Sequence, residues 1–286
     1  MDPFYTSPSA KEMNNINTLE IKDLTKAFGG RNVVDNVSFN VPEHCVFGFI
    51  GANGAGKTTT MKMILGLLKP ENGEITVCGE RVRFGATKTN RLIGYLSDVP
   101  EFYSYMRPKE YLNLCGEIVG LSNAVIKRRT SELLSLVGLA NANKKIGGFS
   151  RGMKQRLGVA QALLGEPKLL ICDEPTSALD PIGRREVLDI LQAIKGKTTV
   201  IFSTHILSDV ERICDRVAVI NNGKITMEKA MSELKVPHRA KAMTVEFAGE
   251  VDSDEVMRVL AENNFAPSHY EIPATSIEEL FLEVAK

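Results

Sequence analysis

Apolar positions follow two rhythms along this chain, and the changes between them divide it into segments. Leu19 and Ile21, then Val37, Phe39 and Val41, are separated by single residues, and such period-two spacing predicts half-buried strands. Cys45 to Ile50 is a short apolar run suited to a buried strand, and Ile75–Cys78 and Leu92–Leu96 continue the pattern. Thr58 to Leu68 carries Met61, Ile64, Leu65 and Leu68 at helical spacing. From about residue 101 the character becomes helical. Pro108 suits the first position of a helix, followed by Tyr111, Leu112, Leu114 and Cys115. A second helix is predicted over 124–137, with Ile126, Leu133, Leu134 and Val137 apolar. Residues 99–165 therefore read as a helical insert inside an α/β domain.

Strict alternation of strand and helix follows: strand 169–172, helix 183–194, strand 198–202, helix 206–214 and strand 217–220, then the turn signal Asn222-Gly223. Beyond Pro237 the alternation stops. Met243, Val245 and Phe247 alternate, and helices are predicted near 253–263 and 276–286. The last opens with a capping box, Ser276 to Glu279, and gathers Ile277, Leu280, Phe281 and Val284 on one face. The expected organisation is a flexible tail over 1–17, a main α/β domain over 18–236, and a small α+β C-terminal appendage over 237–286.

Composition narrows the function classes. Lys plus Arg equals Asp plus Glu, 35 each, so no overall charge draws the chain to nucleic acid, and no nucleic-acid partner is expected. Cys45, Cys78, Cys115, Cys172 and Cys214 lie far apart without a C-x-x-C pair. That spacing argues against zinc and for reduced thiols in a cytosolic setting. No apolar stretch approaches the ~18 residues of a membrane span, and residues 1–17 lack the apolar centre of a signal peptide.

Residues 51–59, Gly-Ala-Asn-Gly-Ala-Gly-Lys-Thr-Thr, form a complete phosphate-binding loop between a predicted strand and a predicted helix. Gly51, Gly54 and Gly56 let the backbone N–H groups of Asn53 to Thr59 curl around an anion at the helix N-terminus. Lys57 adds a point charge for the β- and γ-phosphates, and the Thr58 hydroxyl is placed to ligate Mg²⁺. Downstream, Leu169 to Cys172 is an apolar strand ending in Asp173 and Glu174. Ligands of parallel sheets sit beyond the carboxyl ends of strands. Asp173 is thus placed to hold Mg²⁺ through water, and Glu174 to polarise an attacking water.

Between these motifs lies Gly147-Gly-Phe-Ser-Arg-Gly-Met-Lys-Gln-Arg156. It resembles the signature of ATP-binding cassette (ABC) proteins, usually Leu-Ser-Gly-Gly-Gln. Ser150 and Gly152 match; Phe149, Arg151 and Met153 depart. Ser177-Ala-Leu-Asp180 resembles the D-loop, Ser203-Thr-His205 the switch histidine that reaches the γ-phosphate, and Phe28 the aromatic that stacks on adenine. Ile93 to Asp98 resembles the segment that normally ends in the Q-loop glutamine. Asp98 stands there instead, a group that when ionised only accepts hydrogen bonds but can still ligate Mg²⁺.

The resemblance covers about residues 18–235, with a weaker likeness of 276–282 to bacitracin-export and drug-export ATPases. It implies a P-loop ABC ATPase fold with a β subdomain and a helical insert, and ATP and Mg²⁺ as substrate and cofactor. It further implies a homodimer in which Ser150 of one chain completes the other's site, and a separate integral-membrane permease. The chain would then sit at the cytoplasmic face of the membrane and drive export. The alternative is a soluble ABC ATPase without a membrane partner, as in DNA repair or ribosome function; the coiled coil, zinc elements or second cassette of those groups are not evident in the sequence. A GTPase reading lacks the Asn-Lys-x-Asp guanine motif.

Overall fold

The computed structural model describes residues 16–85, 88–234, 258, 259 and 262. The chain divides into two compact units, Met1–Glu228 and Lys229–Lys286. In the second, Met231–Leu234 form one helical turn, and Arg258, Val259 and Glu262 are helical. The strand predicted at 243–247, the helix at 276–286, most of the helix near 253–263 and nearly all of the tail lie outside the described residues.

Four strands build an antiparallel sheet: β1 (Asn17–Phe28), β2 (Arg31–Pro42), β4 (Asn72–Val77) and β5 (Glu80–Arg81), in the order β2-β1-β4-β5. Six form the second sheet: β3 (Val46–Ile50), β6 (Ile93–Leu96), β7 (Leu169–Asp173), β8 (Thr199–Thr204), β9 (Arg216–Asn221) and β10 (Lys224–Ala230). Their order is β10-β9-β3-β8-β7-β6, and β9, β3, β8, β7 and β6 run parallel. The helices are α1 (Lys57–Ile64), α2 (Pro108–Val119), α3 (Asn123–Leu136), α4 (Arg151–Ala162), α5 (Pro181–Ile194) and α6 (Leu207–Ile213).

Every residue of β3, β7 and β8 is buried. Parallel strands covered on both faces need unbroken apolar runs, which is why the sequence shows runs there and alternation in β1 and β2. One core cluster joins the two sheets. Phe39 of β2 stacks on Phe47 of β3 at 5.5 Å and packs against Phe49 at 5.3 Å, and Met61, Met63 and Ile64 of α1 close the cluster.

Helix α1 is shorter than the predicted span to Leu68. The backbone turns left-handed at Gly66 (φ 69°), and the N–H groups of Leu67 and Leu68 reach back to the Lys62 carbonyl at 2.9 and 3.1 Å. This is a helix C-cap built on glycine. Leu65 and Leu68 still pack against the core, so their spacing reflects burial and not helix continuation. Helix α2 begins at Pro108 as expected, with the Glu110 carboxylate accepting from the Arg107 N–H at 2.8 Å.

The turn between β9 and β10 places Asn222 at φ 47° and Gly223 at φ 80°, the double left-handed geometry of a two-residue hairpin. It does more than reverse the chain. The Gly223 N–H donates to the Ala55 carbonyl of the phosphate loop at 3.1 Å, and its carbonyl accepts from Asp35 N–H of β2 at 2.8 Å. A side chain at Gly223 would meet the Val33 carbonyl at 2.7 Å, and one at Gly56 would meet the same oxygen at 2.7 Å. Phosphate loop, hairpin and β2 therefore converge on one peptide group.

Candidate functional site

The carboxyl ends of β3 and β7 bring the two phosphate-handling motifs together. A cavity of about 410 Å³ is lined by Ala52, Asn53, Gly54, Gly56, Lys57, Thr58 and Thr59 from one side and by Asp98, Asp173 and Glu174 from the other. Val33 of β2 also lines it. Nothing in the local sequence marks Val33; its place follows from β2 passing beside the loop.

Helix α1 starts without a side-chain cap, its N-cap being Gly56 at φ 111°. That leaves the first turn's N–H groups for an anion. Lys57 is 5% exposed. Its ammonium donates to the Gly51 carbonyl at 2.5 Å and the Ala52 carbonyl at 3.2 Å, and forms an ion pair with Glu174 Oε1 at 3.2 Å. The last contact lacks hydrogen-bond alignment, leaving Oε1 buried without a hydrogen-bond donor. A polyphosphate would thus compete with three oxygens for Lys57, and winning would release Glu174.

Asp173 is buried and fully engaged: Thr58 Oγ1 donates to one carboxylate oxygen at 2.9 Å and Ser203 Oγ to the other at 2.5 Å. Ser203 Oγ also accepts from the Glu174 N–H at 3.1 Å. It fixes the peptide that carries Glu174, whose φ of 46° is unusual for a residue with a side chain. Ser203 lies inside a stretch noted only for its histidine, and its bridging role appears once β7 and β8 are paired Asp173 to Ser203. His205 Nδ1 lies 2.9 Å from Glu174 Oε2. A ring with its proton on Nδ1 would donate to that carboxylate. Lys57, Glu174 and His205 thus form a continuous line from the phosphate loop to the end of β8.

Thr58 and Asp173 present two hard oxygens at 2.9 Å from each other at the cavity wall. Mg²⁺ is commonly held by one or two protein oxygens plus substrate phosphates and waters, and this pair fits that requirement. Among the described residues no group of three or more His, Cys, Asp and Glu forms a cage for a metal. Asp98 lines the same cavity, with its carboxylate also 3.5 Å from the Arg151 guanidinium. Burial raises the Asp98 pKa above the ordinary carboxylate value; Arg151 acts to lower it, while Glu174 and Asp173 add to the rise.

The remaining predicted site residues do not line this cavity. Ser150 is the N-cap of α4, its hydroxyl accepting from the Met153 N–H at 3.2 Å. Asp180 is the N-cap of α5, accepting from Gly183 N–H at 2.6 Å. Gly152 lies beside that turn, since a side chain there would approach Gly183 Cα at 3.8 Å. Ser150, Gly152 and Asp180 therefore cluster where α4 meets α5. Phe28 is half exposed at the end of β1, with Lys26 Nζ 5.4 Å from its ring.

Comparison with known proteins gives the following. A family model described as ABC transporter matches residues 34–177. YxlF of Bacillus subtilis (strain 168), an uncharacterized ABC transporter ATP-binding protein, is 42% identical over 260 residues, covering 89% of this chain and 86% of its own. BcrA of Bacillus licheniformis, a bacitracin transport ATP-binding protein, is 38% identical over 266 residues, covering 92% and 84%. Among solved structures, the ATP-binding subunit of an ABC transporter superposes with a TM-score of 0.72 at 31% identity, covering 94% of this chain and 100% of that one. The cassette MJ0796, solved as a dimer in a post-hydrolysis state with ADP and Pi, gives 0.66 at 26% identity, covering 74% and 98%.

Proposed function

This chain belongs to the ATP-binding proteins of ABC transporters, and from that premise we propose that it hydrolyses Mg·ATP to drive a separate membrane permease that exports drugs, peptides or lipid-like compounds. The observation that carries the hydrolytic part is the Lys57–Glu174–His205 line beside the paired Thr58 and Asp173. Each group has a distinct task. The loop N–H groups and Lys57 bind the phosphates and offset charge spread over the transferred phosphoryl group. Thr58 and Asp173 would hold Mg²⁺, which would supply positive charge to offset that of the phosphates. Glu174, freed as Lys57 turns to phosphate, polarises a water toward the γ-phosphorus, and the departing ADP takes the bridging oxygen. His205 holds the Glu174 carboxylate and reaches toward the γ-phosphate.

Ser150, Gly152 and Asp180 belong to the same proposal in a second role. They sit at the α4–α5 junction and outside their own chain's cavity, which suits action on the nucleotide of a second copy. A related cassette is dimeric after hydrolysis. The export reading rests on BcrA, which is named for bacitracin transport. No helix among the described residues is long and apolar enough to cross a membrane, so the permease is assigned to another chain. Its contact is assigned to the exposed edge of the insert, where Val99, Tyr103 and Tyr105 stand in solvent. On this reading the chain is peripheral, at the cytoplasmic face.

The test compares two variants. Glu174→Gln retains ATP binding, stalls hydrolysis and accumulates as a nucleotide-bound dimer, whereas Lys57→Ala fails at binding. Sedimentation with and without Mg·ATP reads the difference; a Glu174→Gln protein that stays monomeric with ATP overturns the dimer. Mixing Lys57→Ala with Ser150→Ala chains assembles one intact composite site per heterodimer, so partial recovery of turnover is expected. Co-purification with an apolar membrane protein separates transport from a cytosolic ATPase.

A further inference from the structure

Asp98 and Arg151 are two departures from the family pattern, in two motifs 53 residues apart in sequence, and the fold sets them against each other. The Arg151 guanidinium lies 3.5 Å from Asp98 Oδ1. Asp98 lies just beyond β6 and lines two cavities: the nucleotide cavity, and a groove of about 410 Å³ between the 98–104 segment and α4 that Arg151 also lines. It is therefore a shared wall.

The charge balance on that wall is unusual. Asp98, Asp173 and Glu174 all face the nucleotide cavity, against one cation in its lining, Lys57. A polyphosphate entering there meets three carboxylates. Two of them have partners within the site: Thr58 and Ser203 for Asp173, and for Glu174 His205 together with Lys57 until a phosphate takes the latter. Asp98 has Arg151 as its ion-pair partner. Four residues further along α4, one turn on and lining the same groove, Gln155 is 2% exposed with neither amide atom hydrogen-bonded. The polar connection between α4 and the 98–104 segment thus rests on the arginine. Arg151 also follows Ser150 directly, so whatever holds its side chain constrains the first turn of α4.

Building on the ATPase reading above, we propose that Arg151 is a positioning residue for nucleotide: it neutralises Asp98 at the rim of the phosphate cavity and ties the Ser150 end of α4 to that rim. Asp98 and Arg151 are then one device. The acid in place of a glutamine is tolerated because an arginine stands in place of a glycine.

The test is binding of Mg·AMP-PNP to the full chain by calorimetry, which requires no turnover. Arg151→Ala leaves Asp98 as an unpaired negative charge beside the phosphates, and affinity is expected to fall about tenfold, the effect of one like charge at several ångströms in a partly solvated site. Asp98→Asn alone binds at least as tightly as wild type. The decisive protein is Arg151→Ala/Asp98→Asn, in which affinity returns to within about twofold of wild type because no charge remains to be neutralised. Arg151→Lys falls between wild type and Arg151→Ala, since it keeps the charge without the planar fork. Loss of a purely structural contact would leave the double variant as weak as Arg151→Ala. That result, or unchanged binding in Arg151→Ala, overturns the proposal. Wild-type chain that binds no AMP-PNP overturns the ATPase reading itself, and the proposal with it.

Discussion

Strand β7 is buried at all five positions and bonded on both sides, to β6 and to β8. The helical insert is built differently: α2 leaves Ile118 76% and Val119 59% exposed, and the groove between α4 and the 98–104 segment is left with an unpaired Gln155 amide on its wall. The two regions are joined by Asp98, which lies at the edge of the insert yet lines the cavity beside the phosphate loop. The contrast separates two tasks. Groups that act on the phosphates must be held to a fraction of an ångström, and rigid, fully bonded strands do that. Elements that pass motion to a partner are drawn from parts with fewer buried contacts and exposed apolar surface.

The contrast predicts unequal consequences for comparable substitutions. The largest falls on the strand end: Glu174→Gln should lower the ATPase rate by about 10²–10⁴-fold, the usual contribution of a positioned general base. Asp98→Ala, across the same cavity, should lower turnover about tenfold or less with little change in ATP affinity, and Asp98→Gln should be tolerated. Steady-state kinetics on the three proteins check this, and equal losses at Glu174 and Asp98 would erase the distinction.

Next comes stability. Ile171→Ala in β7 empties a fully buried site and should cost about 2–5 kcal/mol in chemical denaturation. Ile118→Ala on α2 should stay within about 0.5 kcal/mol, because its side chain already stands in solvent. A large cost at Ile118 would mean that this face is covered by a second chain in solution.

The smallest effect is chemical. Burial pushes the Cys172 thiol of β7 well above its usual pKa, and Cys45 up to about 12. Cys115 of α2 is half-buried and Cys78 exposed, and burial raises both thiols as well, so accessibility sets the order between them. A thiol with a raised pKa reacts only as its thiolate fraction grows with pH. Iodoacetamide at about pH 8 should therefore label Cys78 first, Cys115 more slowly, and Cys172 only after denaturant is added. Mass spectrometry of the native chain reads the order, and early labelling of Cys172 would show that the sheet opens.

The same division governs what the sequence alone disclosed. Buried parallel strands demand unbroken apolar runs, so β3, β7 and β8 are legible to within a residue or two, and with them the placement of Lys57, Thr58, Asp173 and Glu174 at or beyond strand ends around one cavity. Strand β5, two exposed residues at Glu80–Arg81, leaves no such trace. The end of α1 is not legible in the sequence, because Leu65 and Leu68 keep helical spacing while serving the core through a turn. Val33 in the phosphate cavity, Ser203 between the Asp173 carboxylate and the Glu174 N–H, and Arg151 against Asp98 arise from pairings across dozens of residues. Local periodicity carries no information about these. They become visible only when the order of strands is known.

Two-residue hairpin tips are ordinarily the places where a chain accepts a peptide tag, an inserted domain or new termini by permutation. The Asn222-Gly223 tip looks like one in sequence and is not. The Gly223 peptide bonds the phosphate loop through Ala55 and β2 through Asp35, and any side chain at Gly223 would collide with the Val33 carbonyl. An epitope spliced there would pull the loop out of register with the strand beside it. Gly29-Gly30, the turn between β1 and β2, has nothing within 4 Å of either position where a side chain would go. A label at that turn would leave the phosphate loop undisturbed, but it stands beside Phe28, the aromatic expected to stack on adenine.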